Sequence, residues 1–447
     1  MSPDVPRHVA LSLASAVLAL SVNLSIALAQ RAEPSPSRAI VAFVDAHNAE
    51  ALALVERLVN INSGTWNFDG VREVGRVLRA ELDGLGFRTE WMDGAPWQRA
   101  GHLVAERAGK PGSPRVLLIG HLDTVFERDS PFQTFERVGR TEARGPGLID
   151  MKGGDVVMLQ ALRALAAAGV LNELTVAVVM TGDEEAPGRP LAASRAALVN
   201  AARGALAAIG FEDGPGDPRF AVTSRRGTAS WTLRVSAATA HSSQVFRSDI
   251  GPGAIFEASR ILNGFRERLA GEEHLTFNPG IIVGGTDAQH VPAEARGTAA
   301  GKDNVVAANA VVTGDLRALS REQFDRAKRA MAEVTSASLP HTKGTLTFDD
   351  GYPPMAPTEG NARLLELYSR VSEGLTLGRV AAVNPDRAGA ADVSFAAGVA
   401  SMAIDGAGLM GRDGHTPQET ADLTTLPTQT KRAAVLLLRL ARGDKMR

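Results

Sequence analysis

The chain has 447 residues, 44% hydrophobic and 22% charged, with a formal net charge of -2 and no cysteine. A near-balanced charge without a basic run excludes nucleic acid as the main partner, and the lack of cysteine excludes disulfides, thiolate metal ligands and a cysteine nucleophile. The length exceeds what one compact core holds, so two domains are expected.

At the amino end, Arg7 and His8 precede an apolar run over 9–29 that closes on Ala27, Leu28 and Ala29, a small-x-small cleavage pattern. This reads as a removable signal peptide over 1–29. The run is also long enough to span a bilayer, so retention as an anchor stays open. A periplasmic or secreted address follows, with no stable membrane association once the signal is cleaved.

After a Pro/Ser linker over 33–37, apolar residues at helical spacing predict helices over 38–60 and 71–85. Strands are expected over 88–91, 102–107 and 115–120, then a helix over 156–168. An apolar strand through Val176, Val178, Val179 and Met180 stops at Gly182 and presents Asp183, Glu184 and Glu185. Alternating strands and helices imply an α/β fold with a central, mostly parallel sheet flanked by helices, whose functional groups gather beyond the carboxyl ends of the strands. From 228 the order becomes βαββαβ, as in a small ferredoxin-like α+β domain; the stretch 286–304 inside it is rich in Ala, Gly and charge and takes no assignment. The α/β pattern resumes at 361 and ends in a helix over 427–442. The expected division is a catalytic domain over 38–225 and 341–447, interrupted by an inserted domain over 226–340.

The polar motifs fall at strand ends and glycine-rich turns. The strand 116–119 delivers His121 and Asp123 in VLLIGHLDTVF; a carboxylate two residues after a histidine can accept its second ring N–H and fix the tautomer. Asp150 lies in GPGLIDMKGG, where paired glycines let a helix start nearby. Glu212 and Asp213 follow the apolar run in AIGFEDG, and LMGRDGHTPQE carries His415 and Glu419. Converging on one sheet edge, these stretches supply two imidazoles and several carboxylates. Such a nitrogen and oxygen set suits a pair of zinc ions, with cobalt or manganese as substitutes.

GHLDTVF, GPGLIDMKGG, TGDEEAPG, FEDG and GHTPQE together resemble the successive motifs of the zinc-dependent aminoacylase, dipeptidase and glutamate carboxypeptidase family, most of all its glutamate carboxypeptidase branch. The resemblance covers nearly the whole chain after 29. It implies a zinc-exopeptidase-like catalytic domain with an inserted lid and dimerisation domain. His121 and Glu212 would serve one zinc, Glu185 and His415 the other, and Asp150 would bridge them, with a cis peptide bond after it. Glu184 would be the general base and Asp123 the residue that orients His121. In SAATAHSSQ, His241 matches a histidine that reaches across a homodimer to the partner's site and helps hold the oxyanion. Asn278 and Arg317 match positions that bind the polar groups and terminal carboxylate of the substrate.

Two departures stand out. Asp213 replaces the proline usual after the ligand glutamate, so either carboxylate of the Glu212–Asp213 pair remains a candidate. After Glu185 the usual Gly-Ser turn is replaced by 186–190, in which Arg189 has no assigned part. The implied activity is hydrolysis of an amide next to a free carboxylate, with a small peptide or N-acyl amino acid as substrate. An aminoacylase or dipeptidase on the same scaffold is the alternative. A catalytically silent metal-containing binding protein is the reading from another class, against which Glu184 and His241 speak.

Overall fold

The computed structural model describes residues 35–443. The segment expected to be a signal peptide lies outside them. Within them, no helix is long and apolar enough to cross a membrane.

Two helices, α1 (Pro36–Ala46) and α2 (Asn48–Val59), stand where one was expected. The break is at His47, whose φ of -110° and ψ of 13° leave the helix. Its ring stacks on Phe43 at 3.9 Å and its Nδ1 donates to the Phe43 carbonyl at 2.8 Å. The apolar stripe continues across this break, so periodicity alone does not reveal it. There follow α3 (Phe68–Gly84), β1 (Arg88–Asp93), β2 (Gly101–Arg107), β3 (Arg115–His121), α4 (Gly153–Ala167), β4 (Thr175–Thr181) and β5 (Ala207–Gly210).

A second run of elements comprises β6 (Gly227–Ala237), α5 (Ala254–Leu269), β7 (Thr276–Gly285), β8 (Asn309–Ala318), α6 (Arg321–Ser336) and β9 (Thr342–Asp350). The chain then forms α7 (Glu359–Gly374), β10 (Ala403–Ile404) and α8 (Thr425–Ala441).

The main sheet has the order β1-β2-β4-β3-β5-β10. β4, β3, β5 and β10 run parallel, and β2 pairs antiparallel with both β1 and β4. Strands β3 and β4 are buried along nearly their whole length, as continuous apolar runs require when both faces are covered. Alternation divides them between two cores. Val116, Leu118, Val176, Val178 and Met180 face the larger core with α4 and α8, while Leu117, Ile119, Ala177 and Val179 face the other side. Helix α4 lies between the sheet and α1 and α8, which explains why Val156, Val157, Met158 and Leu159 are all buried.

The second sheet is antiparallel with the order β7-β8-β6-β9. In terms of its own strands this is second, third, first, fourth, a ferredoxin-like order. Trp231, Leu233, Val235, Ile261, Phe265, Val312 and Met331 form a core of its own between the sheet and α5 and α6. Strand β9 pairs with β6 as far as Asp350, so this sheet continues past the boundary expected at 340. The unassigned stretch contains a hairpin, Asp287–Val291 against Arg296–Ala300, turned through Ala295 at φ 46°.

Candidate metal centre

Parallel neighbours β4, β3 and β5 end side by side, so the loops after them share one edge. β3 ends at His121, whose Nε2 is 2.9 Å from Asp150 Oδ1 and 3.6 Å from Glu212 Oε1. The other Asp150 oxygen, Oδ2, is 2.8 Å from His415 Nε2, which lies 3.2 Å from Glu185 Oε2. Two donor groups result, His121–Asp150–Glu212 and Asp150–Glu185–His415, with ligand atoms in each within 4.8 Å of one another. All five expected ligands are therefore brought together. Of the adjacent pair, Glu212 enters a donor group and Asp213 enters neither.

The turn that carries Asp150, Leu148–Lys152, is not regular helix: Asp150 has φ -124° and ψ 87°, and the Asp150–Met151 peptide is cis. The buried Glu419 carboxylate accepts the Ile149 N–H at 2.8 Å and the Gly147 N–H at 3.3 Å, satisfying donors that the turn leaves unpaired. Gly154 lets α4 begin against the end of β5, since a Cβ there would lie 1.9 Å from the Phe211 carbonyl oxygen. His415 is held at a backbone φ of 62° in the turn after Asp413.

Asp123 is fully buried behind His121. Its Oδ2 accepts from Thr65 Oγ1 at 2.6 Å and from the Glu185 N–H at 3.2 Å, while Oδ1 accepts the Glu184 N–H at 3.0 Å. His121 Nδ1 is 3.5 Å from Asp123 Oδ1 and 3.1 Å from the Asp123 carbonyl. Burial alone would raise the Asp123 carboxyl, but the imidazole, the Thr65 hydroxyl and the Glu184 N–H outweigh it and hold it below the usual range.

The neighbouring acids move the other way. Burial, with the Asp150 charge next, pushes Glu185 up to about 7 and Glu212 well above the carboxylate range. Glu184 is raised well above it by burial, reinforced by Asp392 and Glu185. Hydrogen bonds to Asp150 and Glu185 raise His415 to about 11. Five carboxylates thus crowd two imidazoles, and Glu185 Oε1 is buried without a partner. Like charges at this density need cations among them, and the nitrogen and oxygen donors present fit a pair of divalent ions.

Several residues that build the loop were given no part from sequence. Asp183 is buried against Arg195, with Nη1 2.6 Å from its Oδ1, and accepts the Gly188 N–H at 2.9 Å. Arg195 Nε lies 2.7 Å from Asp392 Oδ1. His102 accepts the Gly182 N–H at Nδ1 and donates from Nε2 to the Ser194 carbonyl at 2.6 Å. Asp405 accepts the Glu212 N–H at 3.3 Å and pairs with Arg225 at 2.8 Å. These partners are remote in sequence, and nothing in their local motifs signals the pairing. Arg189 gains a part: its Nη1 donates to the Asp350 carbonyl at 2.9 Å, tying the acid loop to β9.

Three expected residues are not in the cluster. His241 is exposed, with Nδ1 2.8 Å from Ser243 Oγ. Asn278 pairs in register with Asp315, and Arg317 Nε lies 3.1 Å from Asp315 Oδ2. Among the described residues, no hydrogen bond or ion pair links these three to the donor groups.

Residues 117–439 match the model of Peptidase family M20/M25/M40. The chain is 27% identical to Carboxypeptidase G2 of Pseudomonas sp. (strain RS-16) over 451 residues, covering 99% of this chain and 100% of that protein. Aminopeptidase PepT from Bacillus cereus superposes with a TM-score of 0.69 at 17% identity, over 88% of this chain and 99% of that one. The Bacillus subtilis YXEP protein, a dinuclear metal binding peptidase, superposes with a TM-score of 0.58 at 14% identity, over 88% of this chain and 99% of that one.

Proposed function

The chain belongs to peptidase family M20/M25/M40, and from that premise we propose that it is a dizinc carboxypeptidase-type hydrolase that cleaves an amide next to a free carboxylate. The observation that carries this reading is that the two donor groups share Asp150, with each of its oxygens facing a different imidazole. The full-length similarity to a carboxypeptidase supports the choice of reaction.

His121 and Glu212 would hold one zinc, Glu185 and His415 the other, and Asp150 both. Bound cations supply Lewis acidity, acidifying water and polarising the scissile carbonyl. Asp123 sets the His121 ring and, through the Glu184 and Glu185 N–H groups, the loop beside it. Glu184 is in neither donor group, and burial raises its carboxyl above the usual carboxylate range. As the carboxylate, Glu184 would take a proton from the attacking water and deliver it to the leaving nitrogen, and a raised carboxyl holds that proton more firmly between the two steps.

The second sheet supplies what the cluster lacks. In a homodimer, His241 from the partner would donate to the developing oxyanion. Arg317 and Asn278 would hold the substrate's free carboxylate and its polar neighbours, the planar guanidinium pairing with two oxygens at once. The enzyme acts in the periplasm or outside the cell after loss of 1–29.

The test compares Glu184→Gln with the unaltered enzyme on N-acyl glutamates, N-acetyl amino acids and dipeptides, with metal content measured in parallel. The expected result is preference for the N-acyl glutamates and a variant that retains its metal but loses turnover by roughly 100-fold or more. Full turnover by the variant contradicts the assignment of Glu184, and preference for dipeptides or N-acetyl amino acids contradicts the carboxypeptidase-type specificity in favour of a dipeptidase or aminoacylase.

A further inference from the structure

The last strand of the second sheet runs directly into the acid loop. Two residues past Asp350, the chain places the buried Tyr352 in the main body. Its hydroxyl donates to the Glu184 carbonyl at 3.0 Å and accepts from Arg195 Nη2 at 2.9 Å.

Glu184 is therefore held at both of its peptide groups. Asp123 Oδ1 takes its N–H, and Tyr352 takes its C=O. The preceding carbonyl, that of Asp183, accepts from Arg195 Nη2 at 3.0 Å. Arg195 has little freedom of its own, since Asp183 and Asp392 pair with its other nitrogens and Thr181 Oγ1 donates to Asp392 Oδ2 at 2.6 Å. At the rim, Arg189 bonds the Asp350 carbonyl and faces Asp349 Oδ1 at 3.4 Å. The loop is thus joined to β9 and its continuation at two points, one buried and one exposed.

We infer that Tyr352 is a positioning residue for Glu184, and that through it and Arg189 the alignment of the base depends on where the second sheet sits. Tyr352 belongs to neither donor group. It acts by fixing the peptide that carries the base, and small displacements of a proton-transfer group are costly in rate. The inference rests on the reading of Glu184 as general base.

Tyr352→Phe removes only the hydroxyl. The ring keeps its edge contact with Phe395 at 5.0 Å and its place beside the Arg195 guanidinium at 5.7 Å, and Arg195 Nη2 keeps the Asp183 carbonyl. The expected result is a fall in kcat of roughly tenfold with KM and metal content unchanged, and a Tm lowered by no more than a few degrees for the two hydrogen bonds lost. Arg189→Ala cuts the exposed tie without touching the buried one and should lower kcat by roughly two- to threefold at constant KM. Wild-type kcat in Tyr352→Phe overturns the inference, as does a loss of kcat that travels with loss of metal or with unfolding at the assay temperature. Wild-type kcat in Arg189→Ala overturns the dependence on the second sheet. Glu184→Gln, assayed alongside, separates the two readings: an inactive Glu184→Gln beside a fully active Tyr352→Phe sinks only the part given to Tyr352. A fully active, metal-loaded Glu184→Gln sinks the base assignment itself.

Discussion

Asp183, Glu184 and Glu185 are adjacent in sequence and differ in what each faces. Asp183 turns into the body and is neutralised by Arg195, Glu185 turns to His415, and Glu184 lies between them, bonded through its backbone. The division of Glu184 from Glu185 could be proposed from sequence because the motif around them carries it. The part of Asp183 could not, because Arg195 and Asp392 sit in stretches with no chemical signature. Arg195 pairs with two buried carboxylates, so removing it leaves both uncompensated. Arg195→Met should lower the unfolding free energy by roughly 3–5 kcal/mol, measurable by urea denaturation, because an unpaired buried charge is far more costly than an absent pair. A loss below about 1 kcal/mol would place the pair in the class of surface ion pairs.

The site depends on how closely α4 approaches β5. Gly154 meets the Phe211 carbonyl where its Cβ would be, so Gly154→Ala must displace the helix that starts beside Asp150. We expect a stability loss of about 1–3 kcal/mol together with weaker metal retention on dialysis. Gly374, at the end of α7, has nothing within 4 Å of that position, and Gly374→Ala should be neutral or stabilising by about 0.4–1 kcal/mol. Unchanged stability and metal retention in Gly154→Ala would remove the link between helix packing and the site. The strands and the long helices could be read in advance because burial on one or both faces leaves runs of apolar residues. Two features could not, the break at His47 and the hairpin over 287–300, whereas the cis bond in the turn at Asp150 is implied by the family motif. Each of the two is set by a single side chain or by a local turn, and periodicity averages over both.

Across the whole chain, the donor groups lie at the edge of the main sheet, whereas Asn278 and Arg317 lie on the second, His241 in the loop after its strand β6, and the last strand of that sheet leads into Tyr352. A substrate held by both sheets would feel their relative placement. If His241 acts across a homodimer, mixing Glu184→Gln with His241→Ala subunits forms mixed dimers with one complete site. Two inactive preparations should then recover about a quarter of wild-type activity after subunit exchange. No recovery in a preparation shown to contain mixed dimers would place His241 outside the partner's site. The central claim, a two-metal centre bridged by Asp150, is tested most directly by counting metal ions per chain by mass spectrometry in the wild type and in Asp150→Ala, Glu212→Ala and His415→Ala. About two ions are expected in the wild type, about one when Glu212 or His415 is removed, and close to none without Asp150. A wild type that holds one ion, or an Asp150→Ala variant that keeps two, would contradict that claim.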